Sequence, residues 1–323
     1  MSQALMPVNQ GRKALVAAAS MDGLAGAAIW AAVAGPLDLM LFTTEGLTGR
    51  IFQTPSLMTA PQISELYCYA MPLIKSDLDF IQPVAQQTGL IRMIWLDHHH
   101  MHVESESRLR SWGVQVINDP SYDSSCSLLM NYQPPADAWA RELCQALQIG
   151  PGLAGEPWRS WLLVFLAVQS DLFGIRTALQ PLIEGRFQSF DSGLRQAGLA
   201  LWNDLCAKAE GPLHEFQVGA RRVMILGVSA ADRINYRLLV DRVMNQRNID
   251  LGLLFFDDLE RFVCYSNPVG PQAVDLWSFG DQLAQAGHKV YYYDRRTIYL
   301  EPTPGNKLAA LERTIEAISG LLS

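Results

Sequence analysis

The sequence predicts an α/β protein with an N-terminal, mostly parallel sheet covered by helices on both faces, a helical connector, and a smaller C-terminal α/β domain. Three observations predict it. Short apolar runs alternate with helix-length amphipathic segments through the first half of the 323 residues, the order that builds parallel sheets clothed in helices. From about residue 123 to 208 the pattern becomes mainly helical, and around Glu210-Gly211-Pro212-Leu213 it stops and strand-like runs resume. Units are therefore expected over residues 1–210 and 211–323.

Element by element, residues 14–18, 37–42, 66–70, 91–96 and 114–117 read as strands, and 24–33, 78–87 and 103–112 as the helices between them. Ser124-Ser125-Cys126-Ser127 supplies the hydroxyls that open a helix, and residues 157–169 and 187–209 are long enough for two more. Strands return at 222–226, 251–256, 262–265 and 289–293, with a basic helix over about 232–246.

Composition narrows the function. Hydrophobic content of 49% with 18% charged residues is that of a globular chain. A formal net charge of −7 argues against coating duplex DNA by bulk electrostatics, although a local basic cleft could hold a short nucleic acid. Five cysteines stand far apart with no CxxC pair, which points to a reducing, cytoplasmic setting. Residues 1–13 lack signal-peptide character, and the apolar region 14–42 is interrupted by Asp22, Pro36 and Asp38, so no membrane association is expected. A homodimer is compatible with the sequence.

The most informative stretch is Asp97-His98-His99-His100, which leaves the apolar run Leu90–Leu96. Four of the six histidines fall within residues 97–102. A buried strand ending in a carboxylate and imidazoles delivers ligands suited to Mn²⁺, Fe²⁺ or Zn²⁺ to the carboxyl edge of a sheet; the plainer alternative is a solvated polar loop. The first strand leads into Ala18-Ala19-Ser20-Met21-Asp22-Gly23, where Asp22 is either a ligand or a helix cap and Gly23 allows close backbone approach. Asp171 ends the apolar segment 161–170 as a ligand or as a helix-end polar residue.

Together these residues resemble the DHH phosphoesterase family, RecJ-like and NrnA-like. The naming signature stands as Leu96-Asp97-His98-His99. The family's first motif, His-x-Asp-x-Asp-Gly, falls on Ala18 to Gly23 and keeps the final Asp and Gly, while Ala18 and Ser20 replace its leading His and first Asp. Its second motif, an Asp after the third strand, falls within Tyr67–Pro72, where no carboxylate stands. Its fourth matches Ser170-Asp171-Leu172. Of its Gly-Gly-Gly-His phosphate loop, Ala286-Gly287-His288-Lys289 remains.

The resemblance implies that Asp22, His98 and Asp171 would hold a metal, Mn²⁺ by preference and one ion at most, because the residues for a second ion and for the bridge are replaced. It implies catalytic roles for His99 and Asp97, His99 meeting the scissile phosphate or the leaving oxygen, and phosphate or substrate contacts from Gly23, Gly287 and His288. Arg233 and Arg237, at i,i+4 on the basic helix, are further phosphate contacts or else a solvated face. Tyr291-Tyr292-Tyr293 offers either a base-stacking ring or an edge strand. Two functional readings remain. One is a protein with a degenerate metal site that binds nucleotide or short single-stranded nucleic acid and hydrolyses it weakly or not at all. The other is an active one-metal phosphodiesterase or 3′–5′ exonuclease.

Overall fold

The computed structural model describes residues 11–322 apart from 45–46, 59–62, 136, 212, 230–234, 257–261, 268–269 and 302–306. In the first half, β1 (Arg12–Ala18), α1 (Met21–Ala34), β2 (Leu39–Thr43), the short α2 (Thr48–Ile51) and α3 (Pro55–Met58), β3 (Ile63–Tyr69), α4 (Leu78–Ala85), β4 (Arg92–Asp97), α5 (Val103–Ser111) and β5 (Gln115–Asn118) follow one another. Their strands form one parallel sheet in the order β2-β1-β3-β4-β5. Alternate residues of β1 face opposite cores, Leu15 and Ala17 on one side and Ala14 and Val16 on the other, which is why this strand reads as a continuous apolar run. The chain leaves β1 for β2 on one side and returns to β3 on the other. The carboxyl ends of β1 and β3 therefore flank the topological switch point where open α/β sheets bind ligands.

Two glycines in α1 allow its close approach to the sheet. A Cβ at Gly23 would lie 2.0 Å from the Ala18 carbonyl oxygen, and one at Gly26 would lie 1.9 Å from the Tyr69 ring. α1 begins earlier than its apolar spacing predicts. Ser20 caps it, its Oγ accepting from the Gly23 N–H at 3.1 Å, so Asp22 sits inside the first turn with its carboxylate available elsewhere.

The connector comprises α6 (Ser125–Tyr132), α7 (Ala138–Ile149), α8 (Trp158–Val168), α9 (Leu172–Ile183) and α10 (Ser192–Ala209). α10 starts later than 187 because Asp191 caps it through the Leu194 N–H at 2.8 Å. A second sheet then forms from β6 (His214–Val218), β7 (Arg221–Val228), β8 (Leu251–Phe256), β9 (Phe262–Ser266), β10 (Lys289–Asp294) and β11 (Thr297–Glu301), in the order β10-β11-β9-β8-β7-β6. Among its described pairings only β7–β8 is parallel. α11 (Tyr236–Arg247), α12 (Leu276–Gln285) and α13 (Lys307–Leu322) complete the chain. Leu205 and Ala209, in the last turns of α10, lie in the core formed by α11 and one face of this sheet. No helix among the described residues is long and apolar enough to cross a membrane.

Candidate metal and phosphate centre

β4 ends on Asp97, 1% exposed, and the next two residues, His98 and His99, are buried with it. The loop is pinned by Asn118, the last residue of β5, whose Nδ2 donates to the carbonyls of Asp97 and His99 at 2.7 Å each. Ligand-type atoms of Asp97, His98 and His99 all lie within 4.8 Å of one another, the metal-capable group found among the described residues.

The protons in this cluster follow from its hydrogen bonds. His99 Nδ1–H donates to Asp97 Oδ1 at 2.6 Å. Burial alone would lower the His99 pKa, but the Asp97 charge and this bond outweigh it, and His99 is held above the ordinary histidine range. Asp97 is likewise pulled below the carboxylate range: burial opposes ionisation, and the charges and bonds of His99 and His98 prevail. Ser125 at the start of α6 gives its one hydroxyl proton to Asp97 Oδ1 at 3.3 Å, so across the 2.8 Å contact with His98 Nδ1 it accepts. This assigns His98 as neutral with its proton on Nδ1 and a lone pair on Nε2. Burial first, and the neighbouring His99 second, push its pKa down to about 3.

Asp22 approaches from α1, its Oδ2 3.9 Å from His98 Nδ1. Its two oxygens accept from the Ser125 and Cys126 N–H groups at 2.9 and 3.0 Å, the usual seat of a carboxylate at a helix N-terminus. Burial raises its pKa in spite of these two bonds. Asp22, Ser125 and His98 thus tie α1, α6 and the β4 loop together.

The second sheet reaches the same place through the turn between β10 and β11. The His100 N–H donates to the Tyr293 carbonyl at 2.6 Å, and the His99 ring meets the Tyr293 ring edge-on with centroids 4.6 Å apart. Arg237, in the first turn of α11, lies 5.1 Å from the Tyr293 ring centroid and binds Asp294 Oδ2 at 2.6 Å.

The residues singled out in sequence are distributed as follows. Asp22, Asp97, His98, His99 and Arg237 gather around one centre. Asp171 is exposed and precedes α9, its carboxylate over Gly174, where a Cβ would come within 2.6 Å of its Oδ2. Gly23 makes the close pass under Ala18. Gly287, at φ +90°, and His288 precede β10, at the opposite end of that strand from Tyr293. Arg233 lies outside the described residues. His102 caps α5, accepting from the Glu104 N–H at 3.3 Å. Ser125, Asn118 and Asp294 join the site without a sequence motif to mark them. The Ser124–Ser127 run signals only a helix start, and Asp294-Arg295-Arg296 is a charged turn whose partners are distant in sequence.

Ligand chemistry limits what this centre can hold. Neutral His98 Nε2 and the adjoining carboxylates suit one divalent ion. Ala18, at the end of β1, and Ala70, just after β3, have no side-chain donor, and the Ser20 hydroxyl is engaged as a helix cap.

A parallel sheet with a core on each face and an Asp-His-His group at the carboxyl end of β4, met there by the turn of a smaller mixed sheet, defines a class of α/β proteins. Among solved structures the chain is similar to RecJ in complex with Mn²⁺ from Thermus thermophilus, at 12% identity and a TM-score of 0.56 over 100% of this chain and 56% of that one. It is also similar to PggH, a pGpG-specific phosphodiesterase from Vibrio cholerae, at 10% identity and a TM-score of 0.50 over 96% of this chain and 98% of that one. The chain thus spans just over half the length of that RecJ. No family model and no curated protein sequence matches it. The fold is the one that RecJ and PggH share with this chain.

Proposed function

We propose that this chain is a DHH-fold phosphoester-binding protein with a degenerate metal site, which holds a nucleotide or short single-stranded nucleic acid and hydrolyses it weakly or not at all. The observation that carries this reading is the donor inventory at the switch point, where Ala18, the capping Ser20 and Ala70 leave one side of the centre without ligands. Two-ion phosphoryl transfer stabilises both the attacking and the leaving oxygen, and removing one electrostatic contributor commonly costs about 10²–10³ in rate. Asp22, Asp97 and His98, which the structure gathers where the resemblance expected Asp22, His98 and Asp171, would hold the single ion, Mn²⁺ by preference, which when bound would supply Lewis-acid stabilisation of a phosphoryl oxygen. His99, its pKa raised by the Asp97 charge and hydrogen bond against the effect of burial, is suited to hydrogen-bond a phosphate oxygen or to protonate a leaving one. Of the proposed phosphate contacts, Arg237 is best supported, because it sits across Tyr293 from His99. Residues 1–210 and 211–323 are assigned as phosphoesterase-like and substrate-binding units, in a reducing, cytoplasmic setting.

An active one-ion phosphodiesterase is the second reading, favoured by the neutral state of His98. The deciding measurement is metal content together with turnover of pGpG, an oligoribonucleotide and phosphoadenosine phosphate with Mn²⁺ in excess, for wild type, His98→Ala and Asp22→Ala. At most one ion per chain, lost with either substitution, and turnover well below about 1–10³ s⁻¹ are expected. Turnover within that range, abolished by both substitutions, would establish the second reading instead.

A further inference from the structure

The turn between β10 and β11 places a carboxylate where an anionic ligand would be expected. Asp294 is 3% exposed. Its Oδ2 binds Arg237 at 2.6 Å, and its Oδ1 accepts from the Arg296 N–H at 2.8 Å. Its charge is within reach of both His98 and His99. Immediately before it, the Tyr293 ring contacts both the His99 ring and the Arg237 guanidinium. The Arg237 guanidinium therefore already faces a carboxylate and an aromatic ring from a single turn, and the His99 ring meets the same aromatic ring. That turn belongs to the edge of its sheet, since among the described residues β10 pairs only with β11. Among the described residues it meets the loop after β4 and the segment after β5 through the His100 to Tyr293 bond, the His99–Tyr293 ring contact and a 3.4 Å bond from Arg295 Nη1 to the Ser121 carbonyl. Moving it leaves the pairings of β9, β8 and β7 with one another in place and costs the bond from the Ser266 N–H to the Arg296 carbonyl and the ion pair of Arg296 with Asp241.

We propose that Asp294 is an internal ligand occupying the anion position beside Arg237 and His99, and that a phosphate ligand binds by displacing it, the turn lifting Tyr293 out with it. This rests on the phosphate-binding reading above and adds what that reading lacks, a gate. Carboxylate and phosphate make the same charge-assisted bonds to a guanidinium, and the two cannot share the position because like charges in a poorly solvated site repel. Displacement rather than addition is the required event.

The test uses the full chain without added metal, and its probes are inorganic phosphate and a 5′-phosphorylated dinucleotide, titrated calorimetrically. Asp294→Asn keeps the shape and removes the charge, and should tighten binding of both probes by about tenfold or more; Arg237→Ala added to it should abolish the gain. In wild type, ligand should accelerate hydrogen exchange of the His100 amide, because its acceptor is the Tyr293 carbonyl, and this measurement decides the matter even where a variant fails to fold. Binding no tighter in Asp294→Asn, with His100 exchange unchanged by ligand, overturns the displacement mechanism and leaves phosphate binding intact. Absence of binding by either protein overturns both.

Discussion

Asp97 Oδ1 accepts three hydrogen bonds, from His99 Nδ1, the His99 backbone N–H and the Ser125 hydroxyl. A carboxylate committed in this way controls the proton on its neighbour. In Asp97→Asn, measured metal-free, burial continues to disfavour the His99 cation while the compensating charge is gone, so the His99 ring should titrate below the usual histidine range instead of above it. Ring-proton NMR checks this, and an unchanged midpoint would contradict the hydrogen-bond assignment. The sign for stability follows. A histidine whose folded pKa is raised contributes fully below its ordinary value of about 6.5 and loses that contribution as pH rises through the folded value. The difference in urea midpoint between wild type and Asp97→Asn should therefore narrow from pH 6 towards pH 9. The Asp97–His99 pair was legible in the sequence because its members stand two residues apart at the end of an apolar run. Ser125 was not, because its role depends on α6 folding back over β4, and nothing in its own neighbourhood announces that.

Tight contacts between α1 and the sheet set the scale of the next effects. Gly26→Ala would press a methyl group into the Tyr69 ring, and overpacking of this kind costs about 1–3 kcal/mol. Tyr69→Leu in the same background should recover part of that loss, since a side chain can be exchanged. Gly23→Ala meets the Ala18 backbone carbonyl instead, so no side-chain substitution should rescue it. Thermal melts of the single and double variants test the contrast. Strands buried on both faces, β1, β3 and β4, were readable as apolar runs because both cores select the same residue types. β6 was not: His214-Glu215-Phe216-Gln217-Val218 is a largely exposed edge strand with little apolar signal. β11 follows so closely on the charged turn at Asp294–Arg296 that its short run Thr297–Glu301 merges with β10. Of the basic helix expected over about 232–246, the described part runs Tyr236–Arg247, and residues 230–234 lie outside the described residues. α13 does carry a helical signal in the buried pair Ile318 and Leu322, which a reading centred on strands passes over.

At the scale of the whole molecule, the Arg237–Asp294 pair links α11 to the turn that meets the first sheet. Burial opposes the Asp294 charge, but Arg237, aided by His98 and His99, holds its pKa far below the carboxylate range. A depressed carboxylate contributes stability that is present above its unfolded value of about 3.9 and is lost as pH falls towards the folded one. Asp294→Asn should accordingly lower the urea midpoint at pH 7 and approach wild type as pH drops below about 4. A difference that stays constant with pH would mean that the loss comes from packing rather than charge. The change from helical to strand pattern near residue 210 was legible because Glu210-Gly211-Pro212 interrupts the periodicity. How the two sheets face each other was not, because Tyr293 and His100 carry no mutual signature in sequence. Leu205 and Ala209 add a practical consequence. A C-terminal fragment cut at residue 211 would lose the last turns of α10 and bare the apolar seat they occupy against α11, making it prone to self-association. Starting the fragment at Asp191, the cap of α10, would carry that cover along, so light scattering of the two fragments should separate an aggregating piece from a monodisperse one.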